Sequence, residues 1–193
     1  MTLFSLLADR LKLAVVTLPD MQGLILGIVL LAIYAAISLP IGFRSSLFRW
    51  VLIRSPYQIL STSLVAIVFP AVMEEVIFRV LLLPTPPSLP ITFPPVSPID
   101  IQIYVRFFEW SLISLVLFIL AHPLNAIVFF PQRKSTFFDP IFLGLAGFLG
   151  VVCTITYLGT GSLWLPVGLH WLMVVIWLLT LGGLDRLSGK VEN

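Results

Sequence analysis

Charge is scarce in this chain. Only 10% of its 193 residues are Asp, Glu, Lys or Arg, where a soluble domain carries about 25%. With 59% hydrophobic residues and a mean hydropathy of +1.10, that excludes a water-soluble globular protein and leaves an integral membrane protein. Cysteine is down to one, Cys153, so no internal disulfide can form. It lies in an apolar run with no basic neighbour and reads as a small packing residue without a role. The net charge of +2 comes from scattered Lys and Arg, which excludes nucleic acid as a partner. No basic region precedes the first apolar residues and no small-residue cleavage site follows them, so a removable signal peptide is not expected. Internal repeats are also missing, which makes residues 1–193 one membrane domain and argues against a repeat-built transporter with a proton relay.

What the chain has in plenty is long apolar runs. Five can span about 30 Å of hydrocarbon: 22–43, 58–83, 108–130, 138–158 and 162–183. The fold class is therefore all-α, a polytopic bundle of about five transmembrane helices in a lipid bilayer. Two interfacial helices are expected besides. One is N-terminal, with Leu3, Leu7 and Leu11 on one side; the other covers FRSSLFRWVLIRSP, residues 43–56, where Arg44, Arg49 and Arg54 alternate with apolar residues. Residues 84–98, with seven prolines in fifteen positions, predict an extended connector. Seven basic residues (Arg44, Arg49, Arg54, Arg133, Lys134, Arg186, Lys190) fall on one side, against Arg10, Lys12 and Arg106 on the other. The positive-inside rule then places the C-terminus in the cytoplasm.

Against this background MEEVIFRVLL, residues 73–82, stands out. A charge at the centre of a membrane helix costs about 2.5 to 3.5 kcal/mol on insertion scales, and here there are three. On a helix Glu75 and Arg79 lie about 40° apart and can pair, whereas Glu74 points about 140° from Arg79. Glu75 can thus stay ionised beside Arg79. Glu74 must find a partner on another helix or take up a proton, an asymmetry suited to a general base. The two histidines, His122 and His170, also fall inside predicted spans. At about 1.5 Å per residue Glu74, His122 and His170 lie about 14, 21 and 12 Å from the outer ends of their spans. Ionisable residues at that depth mark pathways or catalytic sites. Pro70, Pro123 and Pro166 stand near each of them, where a freed carbonyl and a bend can admit water.

Glu74, Glu75 and Arg79 form EExxxR, Phe118 and His122 form FxxxH, and His170 opens a third motif. Over about residues 58–183 this order resembles the CPBP family, the intramembrane glutamic proteases that include CAAX prenyl endopeptidases and bacteriocin-immunity (Abi) proteins. The resemblance implies a catalytic core at 58–183 that needs no cofactor or metal and acts on a membrane-associated peptide or protein. It also implies that Glu74 activates a water with help from His122. Glu75 and Arg79 would orient the site, and His170 would hold the water or steady the tetrahedral intermediate. The family's third motif is usually HxxxN or HxxxD, and here Val174 takes the last place. Asn125, three residues after His122, can supply an amide on the same face if the helix continues past Pro123.

Three functions stay open at this point. The first is a peptidase. The second is a catalytically quiet relative serving as a membrane chaperone, assembly factor or immunity protein, a reading favoured by Val174. The third is a metalloprotease with Glu74, His122 and His170 as ligands, disfavoured by the absence of HExxH and by the positive charge of Arg79 beside the site.

Overall fold

Helix starts are written plainly along the chain. Thr2, Asp20, Ser55 and Asp139 each accept a hydrogen bond from a backbone N–H of the following turn, and Pro56 and Pro140 take first-turn positions where no donor is needed. The computed structural model describes residues 2–85, 98–129 and 131–188, with side chains from Ile101 onward in the third span. Its elements are α1 (Leu3–Val16), α2 (Met21–Arg44), α3 (Pro56–Ala66), the three-residue α4 (Met73–Glu75), α5 (Pro98–Val128), α6 (Lys134–Phe137), α7 (Pro140–Thr160), α8 (Trp164–Thr180) and α9 (Gly183–Leu187). This is an all-helical membrane bundle, with no strand among the described residues. Among the described residues three helices are long and apolar enough to cross a bilayer: Met21–Arg44, Ile101–Val128 and Pro140–Thr160. The apolar α8 is shorter, 17 residues, or about 26 Å.

The second expected span is broken. Two π-helical stretches, Ile67–Val72 and Val76–Leu81, flank α4, and Phe69 leaves helical geometry altogether (φ −128°, ψ 111°). Its neighbour Pro70 is the cause: the proline ring clashes with a helical residue before it, and the proline has no N–H to donate. The break falls just ahead of Glu74. The expected connector at 84–98 lies, for residues 86–97, outside the described residues.

The predicted surface helix at 43–56 does not form. Ser46 takes a left-handed conformation (φ 60°), and the chain then runs extended along the end of α8. The amides of Arg49, Val51 and Ile53 donate to the carbonyls of Leu181, Thr180 and Leu179 at 3.3, 3.0 and 3.2 Å. A helix end leaves four carbonyls without partners. Here an extended strap satisfies those of Leu179 and Thr180 and that of the capping Leu181, and the β-branched Val51 and Ile53 suit it. Val51→Pro removes the central donor and is expected to cost about 1–3 kcal/mol. The check is a lower unfolding temperature than that of Leu52→Pro, whose amide takes no part in this ladder.

The N-terminal helix forms where expected but packs on the bundle. Ala14 is buried among Ala71, Val80, Leu83, Tyr157 and Leu163, with Leu11 beside it, whereas Leu3 is exposed. Arg10 donates to the carbonyls of Leu81 and Leu83, placing a cation at the end of the broken second span. At the centre stands α7, which touches α2, α5 and α8. Its approach to α5 requires small residues. A Cβ on Gly147 would lie 2.8 Å from Ile119, and one on Gly150 would lie 2.9 Å from Leu115 and 3.1 Å from the Phe118 ring.

Candidate active site

The three charges of EExxxR separate as helical geometry requires. Glu75 Oε2 stands 3.1 Å from Arg79 Nε, and the two side chains are 0 and 1% exposed. Arg79 also donates to the Gly150 carbonyl at 2.9 Å and lies over the Phe118 ring, 4.7 Å from its centre. Close helix approach at Gly150 makes both contacts reachable. The charge is thus held by a carboxylate, a carbonyl and an aromatic face, which is how a guanidinium survives out of water. Phe78 and Phe118 meet edge to face, and Ser114 on α5 donates to the Phe78 carbonyl at 2.5 Å, so the second span and α5 are tied beside the pair.

The second carboxyl group has a different environment. Glu74 keeps 16% of its side chain exposed and lines a cavity of about 1090 Å³, and its Oε2 finds no hydrogen-bond partner among the described residues. His170 of α8 connects the two acids. Its Nδ1 lies 2.7 Å from Glu75 Oε1, and its Nε2 lies 3.8 Å from Glu74 Oε2. The Glu75 carboxylate, already paired with Arg79, accepts at Nδ1, so the neutral ring presents Nε2 as an acceptor towards Glu74. At 3.8 Å the two do not bond directly.

His122 follows the same logic from α5. Its Nδ1 is 3.0 Å from the Phe118 carbonyl, which can only accept, so in the neutral ring Nε2 again has a free lone pair. The ring is held edge to face by Phe118, Phe137 and Phe142, with centres 5.1, 5.8 and 5.6 Å away. Helix α5 continues through Pro123 to Val128, and Asn125 accordingly reaches the cavity wall. Val174 lines the same wall one turn beyond His170. Glu74, Phe118, His122, Asn125 and His170 therefore share one cavity, and Glu75 and Arg79 stand behind Glu74 and His170.

A family profile described as type II CAAX prenyl endopeptidase Rce1-like matches residues 56–176, well over half of the chain. The chain belongs to this family. Its Rce1-like segment starts at the first residue of α3 and ends within α8, taking in all three motifs and leaving α1, α2 and α9 outside. No curated protein and no solved structure gives a significant match.

Two residues of the Rce1-like site carry no mark in the sequence. Gly150 supplies the carbonyl that Arg79 needs, and Cys153, one turn further on α7, lies against the Glu75 and His170 pair. The ligand atoms of Glu75, Cys153 and His170 fall within 4.8 Å of one another and are all buried, the one group among the described residues that could hold a metal ion. Glu74 and His122, expected with His170 in a metalloprotease, are not in that group. Arg79 already supplies positive charge to Glu75, so a divalent ion there would be repelled.

Proposed function

We propose that this Rce1-like chain is an intramembrane endopeptidase that hydrolyses a membrane-associated peptide with a water activated by Glu74. The observation that carries this reading is the division of the two acids: Glu75 is spent on Arg79 and His170, whereas Glu74 lines the cavity, partly exposed, and its Oε2 has no hydrogen-bond partner among the described residues. A water between Glu74 and His170 Nε2 would donate to both. Glu74 takes its proton as the oxygen attacks the peptide carbonyl carbon, and returns that proton to the departing amine when the C–N bond breaks. His122 Nε2 offers another acceptor on the cavity wall, which the second hydrogen of the water can take in place of His170 Nε2 and so align the attack. The amide on the cavity wall, Asn125, donates to the oxyanion. The charge asymmetry of the loops supports a cytoplasmic C-terminus. The test is hydrolysis of a fluorogenic apolar peptide by the purified protein in lipid nanodiscs, with Glu74→Ala as the blank. Equal rates from the two sink the proposal.

Val174 favours a second reading, a quiet relative that acts as a chaperone, assembly factor or immunity protein. The wall one turn past His170 carries an isopropyl group that can donate nothing. The two readings part on one pair of substitutions. For a peptidase, Asn125→Ala is expected to lower turnover by about 10²-fold, the usual effect of a lost oxyanion donor, and Val174→Asn to raise it by adding one. For a quiet relative neither matters, and Glu74→Ala rescues the phenotype of a deletion.

A further inference from the structure

Away from Glu74 and the two histidines, a slot of about 330 Å³ lies between α2 and α7. Two helix faces build it: Ile37 and Ile41, four apart on α2, and Ile141, Gly144 and Phe148, spaced by three and four on α7, with the buried Leu145 between them. Gly144 keeps it open, since a Cβ there meets nothing within 4 Å. Every lining side chain is apolar and the isoleucines are exposed, so in a bilayer the slot faces hydrocarbon. Spread over the about 12 Å from Pro140 to Phe148, that volume is far too narrow for a helix, which is about 10 Å across. A single hydrocarbon chain suits it.

The two helices run antiparallel. Gly23 meets Thr160, and further along the Tyr34 and Phe148 rings lie 5.2 Å apart at the deeper end of the slot. The same register brings Arg44 level with Asp139 and Pro140, at the other end. Arg44 follows Ile37 and Ile41 by seven and three residues, so all three share a face of α2. It is exposed and makes no hydrogen bond or ion pair with the described residues. The neighbouring charges are engaged: Asp139 accepts from the Ile141 and Phe142 amides and stands 3.9 Å from Arg186, which donates to the Ser46 carbonyl at 2.9 Å. Trp50, 78% exposed, packs on Phe43 beside Arg44, and tryptophan in such a place marks the headgroup level.

We propose that this slot binds an anionic phospholipid, with one acyl chain between α2 and α7 and the phosphate on Arg44. The guanidinium calls for an anion and the slot below it for hydrocarbon, and one amphiphile supplies both. The site does not depend on the peptidase reading, and α2 lies outside the segment that matches the family.

The test counts lipid bound to delipidated protein in detergent by native mass spectrometry, titrating phosphatidylglycerol and phosphatidylcholine that carry the same chains. The first phosphatidylglycerol is expected to bind about fivefold tighter or more, because phosphatidylcholine brings a cation towards Arg44. Arg44→Gln is expected to bring the two lipids within about twofold. Gly144→Leu fills the slot and favours the helix, and is expected to weaken the first site for both lipids about tenfold or more. Ile41→Trp fills the slot from α2 and takes its place if Gly144→Leu fails to fold. Equal binding of the two lipids to the wild-type chain overturns the proposal, as does a preference that survives Arg44→Gln or a first site that survives both fillers. Glycerol 3-phosphate, which has the phosphate without the chains, is expected not to displace the lipid at equal concentration; displacement makes this a plain anion site and overturns the proposal. A dimer that Gly144→Leu splits while lipid binding stays unchanged assigns the slot to a second copy of the chain and overturns it too.

Discussion

Glu74→Gln is expected to lower peptide hydrolysis by at least about 10²-fold and to leave the fold intact. The amide matches the shape of the carboxyl group and still meets His170 across the cavity, but it cannot take a proton from water. Glu74 contributes little to packing, since its Oε2 has no hydrogen-bond partner among the described residues and its side chain is partly exposed. Loss of turnover with an unchanged unfolding temperature is therefore the expected pair of results. Single-turnover kinetics in nanodiscs and thermal unfolding of the same preparation measure both. Residual hydrolysis close to wild type would move the base to another residue. An equally large loss of stability would instead make Glu74 a structural acid.

Arg79→Ala is expected to have the largest effect on stability, about 3–5 kcal/mol, because it strands a buried charge. Glu75 would keep His170 and the Cys153 thiol, neither of them a fixed cation, the Gly150 carbonyl would lose the arginine, and the Phe118 face would lose its cation. Removing both charges should cost less than removing one. The double variant Glu75→Gln with Arg79→Met is thus expected to recover part of the lost stability without recovering turnover, as a double-mutant cycle in chemical denaturation would show. Additive losses would mean that the two side chains act independently, contrary to their 3.1 Å approach.

The pairing of Glu75 with Arg79 and the separate position of Glu74 were legible in the sequence because both follow from the 100° turn per residue within one segment. The membrane class was legible for an equally local reason. A backbone in hydrocarbon must bond to itself, so apolar runs of such length become helices wherever they are placed. Asn125 could be read only conditionally, on whether α5 passes through Pro123, and it does. The surface helix at 43–56 was misread because the partners of its amides, the carbonyls of Leu179, Thr180 and Leu181, lie some 130 residues further on. An alternation of basic and apolar residues does not distinguish an amphipathic helix from a strap on a helix end.

Local periodicity thus determined the helical membrane class and the pairing of Glu75 with Arg79 apart from Glu74, since these depend on neighbours three or four residues away. Tertiary packing alone decided which nitrogen of His170 meets which acid, that Gly150 and Cys153 of α7 close around Arg79 and Glu75, and that Arg133 shares a cavity with Glu74. Those contacts join residues more than fifty positions apart. They depend on how closely α7 approaches α5, which the absence of a side chain at Gly150 permits but does not by itself specify.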